Sequence, residues 1–187
     1  MRLNKIVIME NQANSQLKQS LIYGGILGLV VIVVSVIAYM LGFVDNKNIQ
    51  WINYAVQIAI SFLGLKNYRD QHLRGYISYG NSLGTGFLIG MIGGVIGTAY
   101  FLVFINYIDT EFVARIIEKS QEQMAAKGIS DDQIEMAIKY QQKFMSTPWM
   151  AVFAIFANAL FSFIFSAIIS IFVKKNNESF EANFSQQ

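Results

Sequence analysis

The chain alternates long uncharged stretches with short polar ones, and the placement of its charges marks out the elements. The first uncharged run, Leu21 to Phe43, has 23 residues. At about 1.5 Å per residue this exceeds a hydrocarbon layer of about 30 Å and predicts a membrane-spanning helix. A cleaved leader needs a shorter apolar region and a small-residue cleavage site. LGFVDNKN at 41–48 offers no such site, so the first helix is expected to be retained. The second run, Ile49 to Leu65, has 17 residues and carries Asn53, Gln57 and Ser61, which puts it at the lower limit for a span. The third, Gly75 to Ile108, is longer than one crossing requires. Its membrane part is expected at 83–107, with GYISYGNS as an interfacial entry. The last runs from Phe144 to Val173, with a span expected over 149–173. Ser146, Thr147 and Pro148 ahead of Trp149 make a favourable helix start, and Lys174 and Lys175 stop it.

Between the third and fourth spans lie about 39 mostly polar residues, 109–147. Asp109 is placed to cap a helix in which Phe112, Val113, Ile116, Ile117 and Met124 fall near one face, and Gly128 follows its end. Ser130 with Gln133 fits a capping box for a second helix, whose face holds Ile134, Ala137, Ile138, Gln141 and Met145. The pattern predicts an all-α membrane protein: four transmembrane helices with an amphipathic helical hairpin, 109–145, inserted between helices 3 and 4. Residues 1–20 and 176–187 read as polar tails on a single membrane domain over 21–175.

Composition agrees and narrows the chemistry. Of 187 residues 54% are hydrophobic and only 14% charged, against about 25% charged in a typical soluble domain. There is no cysteine and one histidine, His72, so disulfides, thiolate metal sites and cysteine nucleophiles are excluded and a histidine-based metal site has little to draw on. No Asp, Glu, Lys, Arg or His lies inside the four runs, whereas ion-coupled carriers commonly place ionisable groups at membrane depth. A net charge of +2, with basic residues beside spans, indicates no nucleic-acid role.

With four spans both termini share a side. Cytoplasmic termini leave eight basic residues inside (Arg2, Lys5, Lys18, Lys66, Arg69, Arg74, Lys174 and Lys175) and six outside, the orientation the positive-inside rule favours. A start at Met9 removes Arg2 and Lys5 and equalises the counts, but Lys66, Arg69, Lys174 and Lys175 still lie close to span ends. Tyr39, Trp51, Tyr107 and Trp149 then fall at one interface, and Tyr23, Tyr68, Tyr76 and Tyr79 at the other.

Three motifs stand out. Gly86, Gly90, Gly94 and Gly97 form a groove along the third span, and Ala154, Asn158, Ser162, Ser166 and Ser170 recur every four residues in the fourth. Small residues at this spacing let helix backbones approach closely, so the two rows are expected to pack together, with Gly24 and Gly28 acting likewise in the first span. Asn53, Gln57 and Ser61 form a polar row on the second span that is suited to interhelical hydrogen bonding or to lining a pore. The loop from Lys66 to Gly75 is densest in functional groups; Tyr68, Arg69, Asp70 and Arg74 are its candidate functional residues, beside the plainer reading of a basic anchor facing anionic headgroups.

The succession of KNYRD (66–70), GYISYGNSLGTGF (75–87), a glycine-containing third span and YIDTEF (107–112) before a helical insert resembles the bacterial domain-of-unknown-function 4199 family of integral membrane proteins. The resemblance covers about 20–175 and is most specific at the YRD loop and the ISYG entry. It implies a small multi-pass protein of the bacterial inner membrane and brings no established activity, cofactor or catalytic residue. Asp109-Thr110 departs from the family pattern, which has a proline after the acid.

The expected function is structural or protein-interacting, through small-residue helix faces and an extracytoplasmic hairpin, with lipid and either a second copy or another membrane protein as partners. The alternative is an oligomeric channel or passive transporter for a small solute. An enzyme is not expected, since no nucleophile–base pair, paired carboxylates or metal cluster falls at membrane depth. No cofactor or catalytic residue is assigned.

Overall fold

Apolar runs with almost no proline leave the backbone one economical way to satisfy its N–H and C=O groups, the α-helix. A computed structural model describes residues 2–43, 46 and 48–175, with side chains from Gln12 onward. The helices are α1 (Arg2–Met40), α2 (Asn48–Asn67), α3 (Tyr79–Val103), α4 (Phe112–Ala126), α5 (Asp131–Phe144) and α6 (Thr147–Val173). π-helical turns at Tyr68–His72 and Phe104–Ile108 extend α2 and α3. No strand occurs among the described residues, where Ile77 and Lys175 form an isolated antiparallel bridge. The expected tail 176–187 lies outside the described residues.

Among the described residues, three segments are long and apolar enough to cross a membrane: Gln12–Met40, Tyr79–Ile108 and Thr147–Val173. The first reaches further back than expected, because α1 continues through 2–20 without a break where a separate tail was expected. GYISYGNS is divided: α3 takes over at Tyr79 and the residues before it are turn and bridge. The second expected span corresponds to α2, which has 20 residues but is not among the three apolar segments. Asn48, Gln50, Asn53 and Gln57 dilute its apolar character.

The chain divides into two compact units, one running to Gly97 and resuming at Asn158, the other Thr98–Ala157. In the first, α1 and α3 run parallel: Gly24 and Gly28 lie against Ile92 and Ile96, while Leu27 and Val31 lie against Gly93 and Gly97. α2 runs antiparallel to α1, with Gln19 donating to the Gly64 carbonyl at 3.2 Å and to Asn67 Oδ1 at 2.8 Å. Gln57 meets Ser162, and Arg69, just past the end of α2, meets Val173, so α2 and α6 run in one direction. The apolar side chains turn outward, among them Leu29, Val33, Ile52, Phe62, Ile168 and Phe172, all exposed. Much of the interior is small or hydroxylated, with Ser20, Ser61, Thr85, Ser162 and Ser166 all buried. Such an arrangement suits a lipid solvent, where outward apolar surface costs nothing and close helix contact supplies the attraction. At one end an apolar cluster of Leu65, Tyr68, Ile77, Ile169 and Val173 is fully enclosed.

In the second unit α4 and α5 pack on each other, joined through Gly128, whose φ of +74° terminates α4 as a left-handed residue does. Ser130 occupies the N-cap of α5 without a side-chain hydrogen bond, and Gln133 N–H donates instead to the Ser130 carbonyl. The expected capping box is therefore not made. Glu111, not Asp109, is the N-cap of α4, and Asp109 is committed to an ion pair with Arg115. Arg115 donates to both carboxylate oxygens of Asp109, at 2.9 and 2.6 Å.

Candidate functional site

Two helices with small side chains in register can come close enough for backbone carbonyls to meet side-chain donors. α3 and α6 do this along an antiparallel seam. A Cβ added at Gly86, Gly90 or Gly94 would collide with Ser166, Ser162 or Asn158 respectively, so each step of four along α3 is matched by a step of four back along α6. Ser166 Oγ donates to the Leu83 carbonyl at 2.6 Å, and Asn158 Nδ2 reaches the Gly90 carbonyl at 3.4 Å. Ser82 of α3 and Ser170 of α6 are also fully buried.

α2 contributes to this seam through Leu65, which lies beside Gly86, and through Gln57. Gln57 Nε2 donates to Ser162 Oγ at 3.0 Å, and Ser162 Oγ in turn donates to Asn158 Oδ1 at 3.4 Å. The Gln57 amide also lies beside Gly90. Three helices thus meet at a hydrogen-bonded chain of Gln57, Ser162, Asn158 and the Gly90 carbonyl. Asn53 does not join it; its buried Oδ1 has no hydrogen-bond partner, and Ser61 is buried one turn beyond Gln57. The row on α2 is accordingly turned into the bundle.

One residue of the expected packing rows, Gly97, lies elsewhere. Gly97 stands 3.5 Å from Val31 of α1, four residues beyond Gly93, which meets Leu27, and so belongs to the row that faces α1. Ala154 is half-buried in the second unit. Gly24 and Gly28 serve α1–α3 packing against Ile92 and Ile96. Sequence reasoning also missed Gln19 and Ser20, which are 3% and 0% exposed. Lys18 just ahead of them gives the segment the look of a tail, although Ser20, Gly24 and Gly28 continue one small-residue row with four-residue spacing.

The loop joining α2 to α3 forms a second cluster. Tyr68 is 1% exposed, held in the apolar cluster, and its hydroxyl donates to the Gln12 carbonyl at 3.4 Å. It is an anchor, not an accessible recognition group. Arg69 pairs with Asp70 through Nε at 2.7 Å and Nη2 at 3.3 Å, and its Nη1 donates to the Val173 carbonyl at 3.2 Å. One guanidinium therefore fixes the loop and satisfies a carbonyl that the end of α6 would otherwise leave open. The hydrogen bond from Arg69 holds the Asp70 carboxyl below its ordinary value, with Lys66 and Lys175 adding to the effect. Arg74 is exposed and adopts φ 54°, next to Gly75 at φ 85°; this left-handed pair reverses the chain and lets Gly75 N–H donate to the Arg69 carbonyl at 2.9 Å. Lys175 and Ile77 exchange both bridge hydrogen bonds at 3.0 Å. The structure thus brings Tyr68, Arg69 and Asp70 together with the end of α6 and gives Arg74 a turn-forming place.

Among the described residues no group of three His, Asp or Glu side chains converges as metal ligands would. What the two clusters do chemically is hold helices: the seam fixes the approach of α2, α3 and α6, and Arg69 ties the loop to the end of α6. No curated protein and no solved structure matches the chain. A family model described as "Protein of unknown function (DUF4199)" matches residues 22–175. That span takes in the seam, the Arg69 loop and both helices of the second unit, and the chain belongs to the DUF4199 family.

Proposed function

We propose that the protein is a four-span component of the bacterial inner membrane with a structural or protein-interaction role, its termini cytoplasmic and its α4–α5 hairpin on the opposite side. The observation that carries this reading is the seam itself. Gln57, Ser162 and Asn158 spend their polar atoms on one another and on the Gly90 carbonyl, while Gly86, Gly90 and Gly94 close the space that a solute path would use. A packed polar chain holds helices together, whereas a conducting pore needs donors and acceptors facing water. The alternation of direction supports α2 as a fourth span, since α1 and α3 run one way and α2 and α6 the other. With 20 residues and about 1.5 Å per residue, α2 is long enough to cross.

The reading makes the protein neither an enzyme nor a transporter. Purified protein reconstituted into liposomes is expected to leave them electrically silent and solute-tight. Reproducible conductance or flux that Gln57→Ala or Asn158→Ala abolishes would overturn it. An alkaline phosphatase fusion within 109–147 is expected to be active, and an inactive fusion rejects the orientation.

A further inference from the structure

α5 carries two different faces. Ile134, 5% exposed, is buried in the packing with α4, while Met136, Tyr140 and Phe144, spaced by four residues, stand 62%, 61% and 46% exposed on another side. Lys139 and Lys143 flank that stripe and are exposed as well. A soluble helix with a working hydrophobic seam has no reason to expose a second apolar row of this size.

The ring contacts at the base of the two helices indicate what covers it. Phe144 meets Trp149 at 6.2 Å and Phe153 at 6.1 Å, both on α6 within an apolar crossing segment. Phe112, at the start of α4, meets Phe101 and Phe104 at 6.1 and 5.9 Å, inside the crossing segment that contains α3. Both helices therefore leave from the level of rings within the crossing segments, not from beyond them. The α5 stripe continues, through Phe144, the exposed aromatic surface of Trp149 and Phe153. A row of Met, Tyr and Phe flanked by lysines matches the composition of helices that lie in the headgroup–acyl boundary, where the ammonium groups meet anionic phosphates.

We propose that the outer stripe of α5 lies on the bilayer surface, with Met136, Tyr140 and Phe144 at the acyl boundary and Lys139 and Lys143 among anionic lipid headgroups. The proposal rests on the reading of α3 and α6 as spans, and it leaves α4 as the free surface of the hairpin.

The absence of cysteine allows single nitroxide labels to be placed cleanly. Full-length Met136→Cys, Tyr140→Cys, Gln123→Cys and Phe156→Cys proteins are labelled and reconstituted into vesicles of phosphatidylethanolamine and phosphatidylglycerol. Collision of each label with oxygen, which partitions into lipid, is compared with collision with a water-soluble nickel complex. The oxygen-to-nickel ratio at 136 and 140 is expected to stand severalfold above that at 123, on exposed α4, and to approach that at 156. Ratios at 136 and 140 equal to that at 123 overturn the proposal by placing the stripe in water. Suppression of both collisions overturns it too, by placing the stripe against protein. A water-like ratio at 156 instead removes the span reading, and the proposal with it. Exchanging phosphatidylglycerol for phosphatidylcholine is expected to lower the ratio at 140, and an unchanged ratio refutes the lysine contact with anionic lipid.

Discussion

The side-chain amide of Asn158 occupies the space that a Cβ on Gly94 would need, while its Nδ2 donates to the carbonyl of Gly90 one turn away. The contact ties a polar side chain of α6 to bare backbone of α3, and it is possible only because neither Gly90 nor Gly94 carries a side chain. Its consequences can be measured.

Gly94→Val places branched carbons where Asn158 sits, and overpacking of this kind costs about 1–3 kcal/mol. Gly25, one residue from the packed Gly24, has nothing within 4 Å of the position a methyl group would take. Gly25→Ala is expected to be neutral or to stabilise by up to about 1 kcal/mol through lower backbone entropy in the unfolded chain. Thermal unfolding followed by circular dichroism in one detergent separates the two, and equal midpoints would contradict the contact.

The Gln57–Ser162 hydrogen bond links α2 to α6 across 105 residues. A double-mutant cycle with Gln57→Ala and Ser162→Ala is expected to give a coupling of about 0.6 kcal/mol, the scale of interhelical hydrogen bonds in lipid. Strict additivity of the two losses would show that the pair contributes nothing beyond contact.

Asp109 yields a pH dependence. The hydrogen bonds from Arg115 hold its carboxyl below the ordinary value of 3.8, with the backbone N–H groups of Glu111 and Phe112 adding to the effect. A carboxyl with a lowered folded-state pKa stabilises the fold at pH values above its unfolded pKa, and that stability is lost as pH falls through the folded value. Wild-type protein should therefore lose Tm on acidification below about pH 4. Arg115→Met should start from a lower Tm and show a flatter acid limb. Parallel acid limbs for the two proteins would remove the ion pair as the cause.

Arg69 should resist conservative replacement. Arg69→Ala frees the Val173 carbonyl and the Asp70 carboxylate together, and Arg69→Lys cannot hold both because an ammonium lacks the planar fork. Hydrogen exchange at Ile77 and Lys175, whose amides bond each other's carbonyls, is expected to quicken in both variants. Rescue by lysine would show that charge alone suffices there.

Much of the fold was legible in the chain because lipid leaves few choices. A charge-free run longer than the hydrocarbon layer becomes a helix, and its ends follow from where charges resume, so α3 and α6 lie close to the expected bounds. The four-residue spacing of Gly86, Gly90 and Gly94 and of Asn158, Ser162 and Ser166 also settled which faces are small. Spacing carries no information about which helices meet, or in what register.

Tertiary structure decided those matters. Only packing takes Gly97 to Val31 while Gly94 goes to Asn158, although both glycines belong to one expected groove. Only packing turns the polar row of α2 inward and gives Gln57 to Ser162. Gln19 and Ser20 acquire interior roles because α1 continues past the point where its apolar run begins, bringing polar residues against Gly64 and Thr85. A local pattern determines which side of a helix is small or polar, whereas the identity of its neighbour depends on residues tens of positions away that come together only when the chain is folded.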